Sequence, residues 1–222
     1  MDSNAHKPPR SGPKRTGRDF IARHGETVFN AAGRLQGDHP HTPLTRAGFA
    51  QADEMGRALR AQLGAKPALT LWASPTGRAL QTLAIIAEHL ELDWHAARTD
   101  TRLVEIGTGS WGGAYYADLA DAGVTVVDRA HGLLFPAEDG ESYPEIVARV
   151  SGWLTDTEGD RGDRLVIMHG ISSRVLRGVM TGTADLPGYG APAAPGLPQG
   201  SVVAIEHGVE SLVHRGMGHA PA

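Results

Sequence analysis

An imidazole and a guanidinium stand side by side near the start of this chain, in the run Arg23-His24-Gly25-Glu26-Thr27. The run follows the short apolar segment 20–22, so we expect both side chains at a strand end, where open α/β sheets bind ligands. The charge of Arg23 disfavours protonation of His24 and attracts a dianionic phosphate. The pair therefore predicts a nucleophilic histidine with a phosphate-binding arginine beside it.

Two further segments place polar residues at strand ends. Arg78 lies in the first turn of a predicted helix, where its two arms and the helix N-terminus can both bind phosphate oxygens. His169 directly follows the apolar run 165–168 and precedes another predicted helix. His24 and His169 can face one crevice only if their strands are neighbours in the sheet.

Glu105 stands in an apolar environment, between Val104 and Ile106. Removal of a carboxyl group from water favours its protonated form, which can act as a general acid. Each of these residues also has an ordinary structural interpretation: a turn-forming histidine, a salt-bridged arginine, a core histidine and a strand-terminal glutamate. Their occurrence together, in this order, favours a catalytic site.

The elements that must position these residues follow from hydrophobic spacing. The predicted strands cover residues 20–23, 69–73, 165–168 and 202–205, and the predicted helices cover 45–63, 76–90, 143–154 and 171–180. Ser142 and Glu145 form the capping-box pattern of a helix start, and the stretch 186–200, rich in proline and glycine, is predicted to be a loop. Alternating strands and helices predict an α/β fold with helices on both faces of the sheet.

Bulk composition narrows the class of protein. With 222 residues, of which 41% are apolar, the chain can bury one core, and its net charge of -4 argues against a nucleic-acid partner or a polybasic membrane protein. No apolar run is long enough to span a membrane and no secretory signal is evident, which predicts a cytoplasmic protein. The lack of cysteine excludes disulfides, thiolate zinc sites and a cysteine nucleophile. Residues 1–18, basic and with no large apolar side chain after Met1, are predicted to be a flexible tail before a single domain at 19–222.

From about residue 19 to 206 the chain resembles the histidine phosphatase superfamily, also called the phosphoglycerate mutase-like family. The similar segments are residues 23–30, 33–37, 43–48, 74–82, 105–111, 140–142 and 169–170. The resemblance implies a three-layer α/β/α sandwich with a mostly parallel sheet. It also implies a small lid inserted at about 107–140, with Trp111, Tyr115, Tyr116 and Phe135 as candidates to line the leaving-group side.

The same resemblance implies roles for individual residues. His24 would attack phosphorus and become phosphohistidine, while Arg23, Arg78 and His169 hold the phosphoryl oxygens. Glu105 would protonate the leaving alcohol and then activate water. The further positions that match the family's phosphate pocket are Asn30, Gln36 and Gly170. This scheme needs no metal or other cofactor, and its partner is a small phosphorylated metabolite; the oligomeric state stays open.

The chain departs from the family pattern at two positions near the site. Gly112 stands where phosphatase relatives often have a second glutamate, and Ile171 stands where a second glycine is common. Both departures concern the choice of substrate and leave the phosphoryl chemistry untouched.

A metal-independent phosphomonoester hydrolase is the favoured function, and a cofactor-dependent phosphoglycerate mutase is the alternative. A mutase would share the first half-reaction but return the phosphoryl group to a sugar acid. Mutases usually carry a longer insertion after the glutamate, whereas about thirty-five residues separate Glu105 from Gly140 here. The local motifs also resemble phosphatases more than mutases.

Three other hypotheses about the function have weaker support in the sequence. The segment 107–112 fits the dinucleotide-binding pattern G-x-G-x-x-G, but the helix that would follow could run only from about residue 114 to 122. A non-catalytic binding protein on the same fold has no support, because every catalytic position is retained. A metal site at His39 and His41, or at His214 and His219, has no cysteine and no i, i+4 histidine pair to support it.

Overall fold

The computed structural model describes residues 15–219. Its strands are β1 (Asp19–Arg23), β2 (Leu69–Ala73), β3 (Arg98–Thr99), β4 (Val127–Asp128), β5 (Leu133–Leu134), β6 (Asp163–Met168), β7 (Asp185–Leu186), β8 (Ala191–Pro192), β9 (Val202–Glu206) and β10 (Val209–His214). Its α-helices are α1 (Val28–Ala31), α2 (Arg46–Leu63), α3 (Gly77–Leu90), α4 (Tyr116–Asp121), α5 (Tyr143–Asp156) and α6 (Gly170–Thr181).

Within the described residues, six strands form the central sheet in the order β10-β9-β1-β6-β2-β3. The strands β1, β6, β2 and β3 run parallel to one another, whereas β9 pairs antiparallel with β1 and β10 pairs antiparallel with β9 at the edge of the sheet. Arg23 is in register with Met168, and Ala73 with Ile167. The residues that follow β1, β6 and β2 therefore emerge at the same edge of the sheet, which confirms that the strands before His24 and His169 are neighbours.

The central strands contribute side chains to two separate hydrophobic cores, one on each face of the sheet, because successive side chains point to opposite faces. Phe20, Leu71 and Leu165 pack against α2 and α3 on one face. Ile21 and Val166 pack against α5 and α6 on the other. These strands are buried on both faces, as expected for parallel strands in an α/β protein. The predicted three-layer α/β/α architecture is confirmed.

Side chains cap two of the four predicted helices, α2 and α5. Thr45 caps α2 by accepting a hydrogen bond from the Gly48 backbone N–H at 3.1 Å. The capping box at α5 is confirmed, since Glu145 accepts from the Ser142 backbone N–H at 2.7 Å. Such caps satisfy backbone N–H groups that the first helical turn leaves without partners.

The expected tail is corrected at its C-terminal boundary. Residues 1–14 lie outside the described part of the chain, whereas Arg15 and Arg18 are engaged with the domain. Arg18 forms an ion pair with Asp163 at 2.6 Å, and Arg15 lies 3.4 Å from Asp19 while donating to the Gly162 carbonyl at 2.6 Å. Composition showed that this stretch lacks apolar anchors, but it could not show acidic partners at the start of β1 and β6.

Other segments differ from the expectation in detail. The stretch 186–200, predicted as loop, contributes to the short hairpin of β7 and β8, and the edge strand β10 was not predicted. The glycines at 107–112 form a 3₁₀ turn at Gly109–Trp111 rather than a strand-to-helix phosphate loop, and β4 pairs antiparallel with β5. This geometry does not fit a dinucleotide fold. Over the described residues, we find no helix with the length and apolar character needed to cross a membrane.

Candidate active site

His24 follows β1 directly and is 2% exposed. Its backbone N–H donates to the Met168 carbonyl of β6 at 3.1 Å, so strand pairing continues into the site. Its ring Nδ1 lies 2.7 Å from the Gly25 carbonyl oxygen, which can only accept. Nδ1 therefore carries the hydrogen, and Nε2 keeps the lone pair that a nucleophile needs.

Charge and burial keep this imidazole neutral. Burial lowers the pKa of His24 well below its usual 6.5, and the positive charges of Arg78 and Arg23 lower that pKa further. The expectation that Arg23 discourages protonation is thus confirmed, although burial contributes more. The next residue, Gly25, has no room for a side chain, since a Cβ there would lie 2.3 Å from the Gly48 carbonyl oxygen.

His169 follows β6 and is fully buried beside His24, with 5.2 Å between the ring centres. The Nε of Arg78 donates to His169 Nδ1 at 3.1 Å, which leaves the hydrogen of the neutral ring on Nε2. Burial, followed by the charge of Arg78, lowers the pKa of His169 well below its usual value. Among the described residues, Nε2 has no hydrogen-bond partner. A buried N–H without a partner is costly, and a bound phosphoryl oxygen would satisfy it.

Arg78 is fully buried in the first turn of α3. Besides its bond to His169, it donates to the carbonyls of His39 and Gly37 at 2.6 and 2.8 Å and to Thr42 Oγ1 at 3.0 Å. Burial lowers its pKa to about 10, at which it is still charged at neutral pH. Four of its five N–H donors are therefore occupied. In this arrangement one N–H of Arg78 remains for a ligand, and its binding of phosphate through both arms stays a prediction.

Arg23 has the freer guanidinium. Its Nη1 donates to the Leu197 and His219 carbonyls at 2.7 and 3.0 Å, while its buried Nε has no partner in the described part of the chain. Burial lowers the pKa of Arg23 to about 10, so it too remains a cation. The Nε and Nη2 edge can donate to two oxygens at once, because guanidinium donors match such oxyanions in geometry.

Glu105 lies in an irregular segment just after a 3₁₀ turn at Thr101–Leu103, and it is 9% exposed. Its oxygens accept hydrogen bonds from the backbone N–H groups of Ile171 at 2.9 Å and Ser172 at 2.7 Å, at the start of α6. A third donor is the N–H of Ile106, at 3.0 Å. The sequence correctly predicted a buried carboxyl group, but these donors, which stabilise negative charge, were not visible in it.

The weaker sequence candidates lie at the same place. The Asn30 Oδ1 accepts from the Thr27 backbone N–H at 3.1 Å, and Gln36 contacts the Thr27 hydroxyl. Gly170 is the first residue of α6. All three border the cavity that also exposes His24, with amide or backbone N–H groups available to bind a ligand.

This cavity has a volume of about 230 Å³. Part of its lining was predicted from the sequence: Arg23, His24, Asn30, Gln36, Glu105, Tyr116 and Gly170. Other lining residues were not predicted to belong to the site, and the polar ones among them are Arg34, Gln199 and His219. Gln199 and His219 come from the loop before β9 and the segment after β10, far from any motif, so only tertiary structure brings them here. Of the other expected aromatics, Tyr115 and Phe135 are 44% and 40% exposed.

Neutral burial of both histidines predicts a loss of stability below pH 6.5. Below pH 6.5 His24 and His169 are protonated in the unfolded chain but stay neutral in the folded protein, so unfolding becomes more favourable as pH falls. Each histidine should contribute up to about 1.4 kcal/mol per pH unit. Urea unfolding between pH 7.5 and 5.5 should show this slope. The slope should be shallower in His24→Ala and unchanged in His95→Ala, whose ring is exposed; equal slopes in all three proteins would contradict the prediction.

Comparison with known proteins agrees with this geometry. A family model described as the histidine phosphatase superfamily (branch 1) matches residues 20–211. The chain belongs to the histidine phosphatase superfamily. This superfamily member is 34% identical over 178 residues to a protein named probable phosphoglycerate mutase GpmB, from Enterobacter sp. (strain 638), with 77% of this chain and 76% of that protein covered.

A second relative of this histidine phosphatase superfamily member is a 6-phosphofructo-2-kinase/fructose-2,6-bisphosphatase of Caenorhabditis elegans, 31% identical over 189 residues. That match covers 83% of this chain, which spans only 36% of the relative's length. A solved structure, a mycobacterial glucosyl-3-phosphoglycerate phosphatase in complex with VO3, aligns with a TM-score of 0.68 at 27% identity, over 86% of this chain and 91% of that one. These relatives support an enzyme of the phosphatase or mutase type.

Proposed function

We propose that this protein is a phosphomonoester hydrolase that acts on a small phosphorylated metabolite through a phosphohistidine at His24. The observation that carries the proposal is the state of the two histidines. One presents a lone pair on Nε2, and the other presents an unused N–H beside it. A nucleophile next to an oxyanion donor, with two buried arginines around them, is suited to in-line attack on phosphorus.

In the first step, His24 Nε2 forms a bond to phosphorus as the bond to the ester oxygen breaks. Arg23 and the Nε2–H of His169 bind the non-bridging oxygens, where negative charge is held through the transition state. Glu105 gives a proton to the leaving oxygen, which departs as a neutral alcohol. This step uses the protonated form of the Glu105 carboxyl group, as general-acid catalysis requires.

The second step reverses these proton movements. A water molecule attacks phosphorus, Glu105 takes its proton, and the bond to His24 breaks to release inorganic phosphate. The proton taken from water replaces the one that Glu105 gave to the leaving alcohol, and His24 is free of phosphate again. Apart from water and the substrate, every group in the proposed cycle is a side chain of this protein.

A mutase is the second candidate, because the relative named GpmB matches over most of its length. In that reaction an alcohol of the substrate takes the place of water in the second step. The two candidates share His24 and Glu105, so the fate of the phosphoryl group separates them.

The test is phosphate release from nitrophenyl phosphate, sugar phosphates and phosphoglycerates, measured with and without EDTA. We expect release from at least one ester, at a rate unaffected by EDTA, because arginines supply the positive charge that a metal would otherwise supply. A rate that collapses with EDTA would contradict this scheme. Isomerisation of phosphoglycerate without phosphate release would establish the mutase instead.

A further inference from the structure

Arg34 lines the same cavity as His24 but lies in a different part of it. The side chains around the reacting position, Arg23, Arg78 and His169, are all buried, whereas Arg34 is partly exposed. Arg34 also belongs to the loop after α1, away from the strand ends that carry the other groups. It therefore stands toward the cavity mouth, where the alcohol part of a bound ester must lie.

The segment at 113–116 fixes the position of Arg34. The Nε of Arg34 donates to the Gly113 carbonyl at 2.6 Å. The guanidinium carbon of Arg34 lies 4.5 Å from the Phe29 ring centre and 5.0 Å from the Tyr115 ring centre. Backbone bonds from Leu35 to Ala114 and from Tyr116 to Gly33 hold the two segments together. The Arg34 side chain is thus ordered before a ligand binds, so binding costs little additional conformational entropy.

The charge of Arg34 is not neutralised within the described structure. Arg18, Arg102, Arg149 and Arg177 each form an ion pair with a carboxylate, but Arg34 forms none with residues 15–219. Its side chain donates through Nε to a neutral carbonyl, so Nη1 and Nη2 keep free donors within the described structure. A stacked, immobilised guanidinium with open donors in a cavity is well placed to bind an anion.

We propose that Arg34 binds a second anionic group, carried by the leaving-group part of the substrate. The preferred substrates are then phosphomonoesters whose alcohol bears a carboxylate or a second phosphate. This inference rests on the proposed function, because it assigns the transferred phosphoryl group to the His24 end of the cavity. Arg34 acts in recognition, and the bond-making steps remain with His24 and Glu105.

The test compares matched substrates that differ in the second charge. One pair is 3-phosphoglycerate and glycerol 3-phosphate, which share a three-carbon skeleton; the other is fructose 1,6-bisphosphate and fructose 6-phosphate. The wild type should show a higher kcat/KM for the doubly anionic member of at least one pair, and the preferred pair tells carboxylate from phosphate. In Arg34→Met that preference should fall about 10- to 100-fold, as for loss of a charge-assisted hydrogen bond. Arg161→Met removes an exposed charge beyond the opposite end of β6 and should keep it.

Arg34→Met also loses its bond to Gly113, so a purely structural effect must be distinguished. That effect would lower kcat/KM for both members of a pair equally and leave their ratio unchanged, which would overturn the proposal. Lack of preference in the wild type for either pair would overturn it as well. If no ester is hydrolysed, the proposed function fails, and the Arg34 site is then tested by calorimetric binding to two variants, His24→Ala and His24→Ala with Arg34→Met. The site is supported if the double variant binds the doubly anionic compounds more weakly than the single variant does and binds the singly anionic compounds equally well. Equal binding of the doubly anionic compounds by both variants refutes it.

Discussion

Replacement of His24 by alanine is expected to lower the rate of phosphate release at least about 10⁴-fold, in line with the loss of a nucleophile in other enzymes that form covalent intermediates. The reason is specific to this ring. Its Nδ1 donates to the Gly25 carbonyl, and burial and two arginines lower its pKa, so Nε2 keeps its lone pair at neutral pH. His169 cannot take over this role, because Arg78 donates to its acceptor nitrogen.

The decisive measurement is capture of the intermediate. Wild-type protein mixed with a labelled phosphomonoester and quenched in alkali should carry phosphate on His24, identified by mass spectrometry of the peptide. The control is His95→Ala, which removes an exposed imidazole from the 3₁₀ turn Trp94–Ala96 and should leave both rate and label unchanged. Phosphate release that survives in a folded His24→Ala protein would contradict covalent catalysis at this residue.

Replacement of Glu105 by glutamine should slow hydrolysis of alkyl phosphates about 10²- to 10⁴-fold, the usual contribution of a general acid. Nitrophenyl phosphate should lose less than about tenfold, because nitrophenolate departs without needing a proton. The difference between the two losses is the diagnostic quantity. Equal losses for both substrates would show that Glu105 does not donate the proton.

Two comparisons protect this interpretation from structural effects. An amide at position 105 can keep the bonds from Ser172 and Ile106 to its oxygen, but its NH₂ group faces the N–H of Ile171. That mismatch should cost about 1–3 kcal/mol of stability, which thermal unfolding will report separately from the rates. Glu88→Gln changes an exposed carboxyl on α3 and should alter neither stability nor leaving-group dependence by a comparable amount.

Much of the fold could be read from the chain because it depends on local patterns. The apolar runs that became β1, β2, β6 and β9 and the helical repeats of α2, α3, α5 and α6 lie within a few residues of their predicted bounds. Period and capping residues specify such elements without reference to the rest of the chain. The strand β10 escaped prediction because it is an edge strand whose residues are half exposed, so it lacks a strong apolar pattern.

The sequence by itself determined which reactive groups would meet, and tertiary structure decided what each can do. His24 and His169 each follow a predicted strand, so the sequence made their proximity depend on one condition, the pairing of β1 with β6, which the fold meets. Hydrogen-bond direction was not, since it depends on carbonyls and N–H groups contributed by distant segments. The side-chain hydrogen bonds of Arg78, Arg23 and Glu105 join residues that are 36 or more positions apart in the sequence. The bond from the Ile106 N–H to Glu105 is the exception. Such contacts exist only after the chain has packed, which is why Arg34 and its unneutralised charge became apparent only in the folded structure.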